Sequence, residues 1–271
     1  MTRFVASIFS RFFRLLYPRT CVVCGDVLVD GELFLCSACL SGLPLNEGVD
    51  EEADKVLADD LGIEHLYWLF RYDRVSDFHK LVYAIKYRSN RELGVWAGKM
   101  LGERMKDVRG IDCIIPVPLH PEREKKRGFN QAFLIGTGIV SVLGGRIEPE
   151  VLRRVVNTPS QTGLERGQRA DNVVEAFELG NTTRVEGCHV LLVDDVVTSG
   201  ATIRACMMEL SKIKGVRVSV ACLGKSRSLM TVKRSLNELE TAGLIMRVRQ
   251  GVGEPNRIYV LIPGKEDAAL A

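Results

Sequence analysis

The sequence predicts an α/β fold, in which an open, mainly parallel sheet flanked by helices follows a small N-terminal module with four cysteines. Two observations support this prediction. Apolar runs such as Val190 to Val193 alternate along the chain with segments of helical periodicity. Near the N-terminus, cysteines come in two closely spaced pairs. A length of 271 residues and a hydrophobic content of 46% suit one sizeable core with small added modules.

The four cysteines are Cys21, Cys24, Cys36 and Cys39, and eleven residues separate the two Cys-x-x-Cys pairs. Each pair can form a tight turn that points two thiolates at one tetrahedral metal, and zinc prefers such a closed four-sulfur shell. An N-terminus interrupted by arginines is untypical of a secretory signal, so we expect a cytoplasmic protein with reduced thiols. A redox role for either pair is the alternative. We expect this zinc module to span residues 18–45.

The segment before the zinc module, residues 1–17, has the pattern of a basic amphipathic helix. It can pack on its own protein or contact a membrane surface. No continuous apolar run reaches membrane length, so we expect no transmembrane span. A formal net charge of only +3 means that any basic surface must be local. The acidic stretch from Glu47 to Asp60 is predicted to be a linker.

The hydrophobic pattern predicts the elements of the main domain, which we place at residues 61–225. The apolar strand from Asp112 runs into prolines, which cannot continue a central strand. The predicted strands are Tyr67 to Tyr72, Asp112 to Pro118, Val151 to Val156, Phe177 to Leu179, His189 to Val193 and Val216 to Leu223. The predicted helices are Asp77 to Lys86, Leu93 to Val108 and Ala201 to Ile213.

Residues 188–203 restrict the function most sharply. A buried strand is predicted to end at Asp194 and Asp195, and a turn rich in hydroxyl groups then leads into a helix. Backbone N–H groups at a helix N-terminus attract phosphate, and Gly200 has no Cβ to obstruct it. The carboxylates cannot serve the same phosphate, so they must face ribose hydroxyls or a Mg²⁺ ion. The alternative is an ordinary strand–turn–helix with surface aspartates.

This segment resembles the 5-phosphoribosyl-1-pyrophosphate (PRPP) loop of type I phosphoribosyltransferases, which implies that fold. The resemblance assigns the acidic pair, Asp194 and Asp195, as candidate catalytic residues facing the ribose. It makes the following residues candidates for PRPP binding: Val196, Val197, Thr198, Ser199, Gly200, Ala201 and Thr202. A Walker phosphate loop fits less well because its Gly-x-x-x-x-Gly-Lys-Ser/Thr pattern does not occur. Gly136-Thr-Gly138 lacks the third glycine of a dinucleotide-binding motif and lies in a helical pattern.

Basic and polar segments supply further candidates. The segment Arg123 to Asn130 is predicted to be a basic loop that follows a strand end, where open α/β sheets bind ligands. Its Arg127 is a candidate for pyrophosphate, although isolated charge runs are usually solvated. Lys86 at a predicted helix end is another candidate. Residues 157–172 contain almost nothing to bury and are predicted to form a lid. The lid residues that could close over a substrate are Gln161, Arg166, Arg169 and Asn172.

Taken together, the motifs resemble the ComF family of competence-associated, phosphoribosyltransferase-like bacterial proteins over residues 14–225. The resemblance rests on the four cysteines, Lys86-Tyr-x-x-Asn, Pro-Val-Pro before Arg-Gly-Phe-Asn-Gln, and the Asp194 segment. It implies structural zinc, PRPP bound with Mg²⁺, and Arg127 to Gln131 at the pyrophosphate side. It also implies a role in DNA uptake and natural transformation, with single-stranded DNA and competence-machinery proteins as partners.

The tail, residues 226–271, departs from that family. A helical stripe stops at Gly243, and two alternating strands then flank a turn from Gly251 to Pro255, which is similar to the end of a winged-helix domain. Its basic residues, counted from Lys225 to Arg257, can contact DNA phosphates or form a solvated face.

The sequence is compatible with two functions. The first is a phosphoribosyltransferase-type protein in which Mg²⁺ and the basic loop stabilise departing pyrophosphate. The second is a non-catalytic adaptor that holds single-stranded nucleic acid with the same fold. The sequence identifies no acceptor base.

Overall fold

The computed structural model describes residues 18–46, 51–73, 75–87, 90–156, 176–226, 239–240, 242–248 and 257–260. The chain divides into two compact units, Met1–Ser226 and Arg227–Ala271. The predicted N-terminal helix and the lid with Gln161, Arg166, Arg169 and Asn172 lie outside the described residues. Within the described residues, no helix combines the length and the apolar composition that crossing a membrane requires.

The first unit contains helices on both sides of a parallel sheet. Its described helices are α1 Ser37–Ser41, α2 Glu51–Leu61, α3 His79–Tyr87, α4 Arg91–Arg104, α5 Pro121–Arg127, α6 Gln131–Leu143 and α7 Ala201–Leu210. Its described strands are β1 Leu66–Tyr72, β2 Cys113–Pro116, β3 Arg146–Ile147, β4 Leu152–Arg154, β5 Phe177–Leu179, β6 His189–Val197 and β7 Arg217–Ser226. The main sheet has the order β1-β7-β6-β2-β3, and all its pairings are parallel.

Strand β6 lies at the centre of this sheet, and its two faces contribute to two different apolar cores. Leu192 packs with residues of α2 and α7 on one face, whereas Val193 packs with residues of α3, α4 and α6 on the other. Val190 to Val193 are fully buried, as expected for a parallel strand covered on both sides. The predicted α/β class is confirmed.

Two strand predictions need correction. Strand β6 does not end at Asp194 and Asp195 but continues to Val197, because β7 is long enough to pair with it as far as Lys225. The stretch from Val151 to Val156 does not extend the main sheet. Its strand, β4, pairs antiparallel with β5 in a separate two-stranded sheet, since β3 already occupies the place beside β2.

The predicted acidic linker from Glu47 to Asp60 contains helix α2. Leu57, Ala58 and Leu61 form a buried stripe on this helix, which the acidic composition obscured. Asp54 anchors α2 by forming an ion pair with the buried Lys225 and by accepting a hydrogen bond of 2.7 Å from Trp68 Nε1. Lys225 is therefore a core residue of β7 and not part of a DNA-binding tail.

The predicted basic loop is also a helix. Pro121 starts α5 after the N-cap residue His120, and Gly128 ends it in the left-handed conformation. Asn130 then caps α6, and its side-chain amide donates to the carbonyl of Val117 at the end of β2. The basic side chains of α5 are thereby held at the carboxyl edge of the sheet.

Glycines allow helices α4 and α6 to touch along their backbones. A Cβ at Gly98 would lie 2.1 Å from the Ile135 carbonyl oxygen, and one at Gly138 would lie 2.2 Å from that of Val95. The Gly136-Thr-Gly138 segment is therefore a helix-packing feature, in agreement with its exclusion as a dinucleotide site.

The second unit contains an antiparallel pair, β8 Ile245–Val248 and β9 Arg257–Val260. These strands coincide with the two strands predicted in the tail. The turn predicted between them, and most of the helix predicted before them, lie outside the described residues.

Candidate phosphoribosyl site and zinc centre

The turn between β6 and α7 presents the backbone N–H groups at the start of a helix. Gly200, the N-cap of α7, has φ +76°, and within the described residues no side chain caps the helix. The first-turn N–H groups, beginning at Ala201 and Thr202, therefore face outward together with the positive end of the helix dipole. Thr198 and Ser199 are exposed beside them. This arrangement suits a phosphate group.

Helix α2 packs directly behind this turn. A Cβ at Gly200 would lie 2.8 Å from Leu61 Cδ2, so both the backbone angle and the space favour glycine. Arg204 of α7 forms an ion pair with Asp60 and donates a hydrogen bond of 3.3 Å to the Ser199 carbonyl. The turn is thus held from behind, with its hydroxyl side left open.

The two carboxylates of β6 point to opposite faces of the sheet, as alternation along a strand requires. Asp195 faces α3, where its Oδ2 lies 2.9 Å from Lys86 Nζ. Burial acts to lower the pKa of Lys86, but the charges of Asp195 and Asp194 outweigh it and raise that pKa above its usual value. Lys86 therefore remains a protonated, positively charged ammonium group at this site.

Asp194 faces the other side of the sheet. Burial and the neighbouring Asp195 raise the pKa of Asp194 to about 7, although its Oδ1 accepts a hydrogen bond of 2.8 Å from the Asp195 N–H. Arg154 of β4 lies close enough for its charge to oppose this rise. Burial and Arg123 in turn lower the pKa of Arg154. Sequence reasoning missed Arg154 because β4 was assigned to the main sheet.

Arg127 is held by two neighbours. Its guanidinium lies over the ring of Tyr87, 5.2 Å from the centroid, and donates a hydrogen bond of 3.0 Å to Gln131 Oε1. Gln131 is only 2% exposed, and its Nε2 has no hydrogen-bond partner among the described residues. Arg127 also lies close enough to Lys86 to oppose the rise in its pKa. The two cations share one side of the site.

The structure thus brings Lys86, Arg127, Asp195 and the turn to one edge of the sheet. Val196 and Val197 belong to β6, and Val197 is only 2% exposed, so its side chain belongs to the core and does not face a ligand. Arg169 lies outside the described residues. The role of Tyr87 was not predicted, although it adjoins Lys86 in the quoted motif.

The four cysteines of the zinc module converge. Their sulfur atoms all lie within 4.8 Å of one another, and Cys24 Sγ is 3.7 Å from Cys36 Sγ. Zn–S bonds of about 2.3 Å in a tetrahedron place sulfurs roughly 3.8 Å apart, so this donor set fits zinc. The Cys39 N–H donates to Cys36 Sγ at 3.4 Å, which closes the second turn.

The zinc module is docked on the sheet domain. Lys80 Nζ of α3 donates a hydrogen bond of 3.1 Å to the carbonyl of Val23, between two of the cysteines. The ring centroids of Phe34 and Trp96 lie 5.5 Å apart. Leu45 pairs with Phe70 of β1 through an isolated antiparallel backbone bridge. Helix α3 therefore contacts the zinc module through Lys80 and the carboxylates through Lys86.

Two family models match the chain: the double zinc ribbon domain at residues 12–49 and the phosphoribosyl transferase domain at residues 133–236. The chain is 31% identical over 149 residues to DNA utilization protein YhgH of Salmonella typhimurium, covering 53% of this chain and 65% of that protein. The match therefore covers less than two thirds of the Salmonella protein. The YhgH protein of Escherichia coli O6:H1 is 28% identical over 230 residues, covering 76% and 96%.

Competence protein F of Haemophilus influenzae is 34% identical over 112 residues, covering 41% of this chain and 47% of that protein. Among solved structures, adenine phosphoribosyltransferase from Thermoanaerobacter pseudethanolicus has a TM-score of 0.36 and 21% identity, covering 55% of this chain and 75% of that one. The names of the relatives and the two family models confirm the resemblance to the ComF proteins.

Proposed function

We propose that this ComF-type protein binds a phosphoribosyl ligand, PRPP or a close relative, together with Mg²⁺. The observation that supports this most strongly is the uncapped start of α7 at Gly200, directly after the acidic pair of β6. The carboxylates of Asp194 and Asp195 would accept hydrogen bonds from ribose hydroxyls or coordinate Mg²⁺. The turn would supply N–H donors for a terminal phosphate.

The charges around the turn suggest how the ligand is oriented. The 5′-phosphate would occupy the backbone donors of the turn from Thr198 to Thr202. Lys86 and Arg127 would face the pyrophosphate, whose negative charge grows if it leaves. Bound Mg²⁺ would supply further neutralisation of that charge. If transfer occurs, the bond from ribose C1 to pyrophosphate breaks as a nucleophile bonds to C1.

The names of the relatives support a DNA-related role. We propose that this role involves single-stranded DNA and the proteins of the competence machinery, in the cytoplasm, where thiols stay reduced for zinc. We retain as proposals the domain limits of residues 1–17, 18–45, 61–225 and 226–271. The non-catalytic adaptor is the second candidate function, and the exposed basic residues of α5 favour it.

Thermal unfolding with and without Mg²⁺-PRPP tests the proposed site. We expect PRPP to raise the melting temperature of the wild type, because a ligand that binds only the folded state stabilises it. Asp194→Asn combined with Asp195→Asn should abolish this rise, and so should Gly200→Val. Met208→Ala on α7, an exposed position, is the matched control. A PRPP-induced rise that survives both site variants would contradict the proposal.

Pyrophosphate release distinguishes the two candidate functions. An enzyme should release pyrophosphate from Mg²⁺-PRPP in the presence of its acceptor, and a panel of nucleobases provides the first set of candidates. An adaptor should bind PRPP without releasing pyrophosphate with any of them. Lys86→Met and Arg127→Met should reduce release more than binding if these cations stabilise the departing group.

A further inference from the structure

An exposed pair of aromatic rings lies on α3 beside the proposed phosphoribosyl site. The rings of Tyr83 and Tyr87 have centroids 4.7 Å apart and planes inclined by 40°. The two residues are 52% and 54% exposed, although the opposite side of the same helix buries Leu81 and Ile85 completely. Half-exposed tyrosines one helical turn apart offer ring surface to a partner without first having to leave a core.

Two arginines lie close to Tyr87, the second member of this aromatic pair. Arg127 lies over Tyr87, and Arg123 is close enough to Tyr87 for the ring hydroxyl to oppose the lowering of the Arg123 pKa by burial and Arg127. Helix α5 carries four basic residues against two acidic ones, and its Lys125 and Lys126 are exposed. Ring surface and positive charge therefore adjoin each other on one side of the sheet domain.

We infer that Tyr83 and Tyr87 form a stacking platform for the bases of single-stranded nucleic acid whose phosphates contact helix α5. Such a strand presents planar rings and negative charges in alternation, which matches adjoining tyrosines and arginines. A duplex hides its base faces, and an acidic peptide would use the charges but not the rings. The inference rests on the proposed DNA role and does not require pyrophosphate transfer.

Tyr83 is the better residue to change, because Tyr87 contacts Arg127 of the proposed PRPP site. The probes are a labelled oligodeoxythymidylate and an abasic oligonucleotide of equal length and charge, measured by fluorescence anisotropy with the full-length protein. Wild type should bind the thymidylate more tightly than the abasic strand. Tyr83→Ala should weaken thymidylate binding by about five- to tenfold, the lower end of the effect of one stacked base, and should leave abasic binding nearly unchanged.

Three further variants make the result interpretable. Tyr83→Leu keeps apolar bulk on the helix but removes the ring, so it should behave like Tyr83→Ala, whereas Tyr83→Trp should restore or increase binding. Met208→Ala, on the helix across the sheet, should bind like wild type. The PRPP-induced rise in melting temperature should persist in all of them, which separates failure of the platform from failure of the phosphoribosyl site. Equal binding of both strands by wild type, unchanged binding by Tyr83→Ala and Tyr83→Leu, or no binding at low salt would overturn the inference.

Discussion

Replacing Asp194 by asparagine should stabilise the ligand-free protein while removing its ability to bind PRPP with Mg²⁺. Asp194 is largely buried beside a second carboxylate, and its pKa is raised from an ordinary value of 3.8 to about 7. The folded protein therefore favours the neutral carboxyl group, whereas the unfolded chain ionises freely. Asparagine is nearly isosteric and carries no charge, so it removes the cost of ionising this group in the fold.

The size and pH dependence of this effect follow from linkage. Between pH 4 and pH 7 the folded state holds a proton that the unfolded state has lost, so the free energy of unfolding falls as the pH rises. Each pKa unit corresponds to about 1.4 kcal/mol, which sets a ceiling of about 4 kcal/mol on the penalty above pH 7. We expect Asp194→Asn to remove at least about 1 kcal/mol of this penalty. For a unit of this size, that corresponds to a rise of about 2–4 °C in melting temperature.

The assay is thermal unfolding of wild type and Asp194→Asn at a series of pH values from 4 to 8, without ligand. The difference in melting temperature should be small at pH 4, grow with pH and level off above pH 7. Asp195→Asn is the matched control and should destabilise the fold, because it leaves Lys86 without its partner at 2.9 Å. A difference between wild type and Asp194→Asn that does not change with pH, or a less stable Asp194→Asn at pH 8, would refute the reasoning.

Three other predictions follow from the structure. Elemental analysis should find near-stoichiometric zinc in wild type and in Cys188→Ser but not in Cys21→Ser with Cys36→Ser, and a metal-free, fully folded wild type would contradict the zinc site. Lys225→Met should cost about 3 kcal/mol in denaturant unfolding, because the Asp54 carboxylate, 15% exposed, keeps among the described residues only its hydrogen bond from Trp68; adding Asp54→Asn should recover much of that loss, and additive losses would exclude coupling. Truncation after Ser226 should lower the salt dependence of oligonucleotide binding while preserving the PRPP-induced thermal shift, and equal salt slopes would exclude the tail from the DNA site.

The sequence revealed those parts of the fold whose signals are local. The phosphate turn needs a glycine with positive φ after a buried strand, and both features can be read from residues 190–200. The zinc module depends on cysteine spacing alone. Helix α2 was missed because its buried stripe of Leu57, Ala58 and Leu61 interrupts an acidic segment, and composition hid that periodicity.

Other features depend on contacts between distant segments, which spacing cannot reveal. Arg154 lies close to Asp194 because β4 pairs with β5 in a separate sheet. Lys225 appeared basic and available, but its ion pair with Asp54 joins residues 171 positions apart. The site residues within one motif were therefore predictable, while the charges that tune them came from elsewhere in the chain.

Helix α3 explains why a zinc module and a phosphoribosyl site belong to one compact unit. Lys80, near its start, holds the carbonyl of Val23 between two zinc-binding cysteines, and Lys86, near its end, pairs with Asp195. The buried Leu81 and Ile85 fix the middle of the helix, and the hydrogen bond from Lys80 to the zinc module helps to fix its start. Removal of zinc should therefore weaken PRPP binding as well as the fold of the module, although none of the cysteines lies among the residues proposed to contact the ligand.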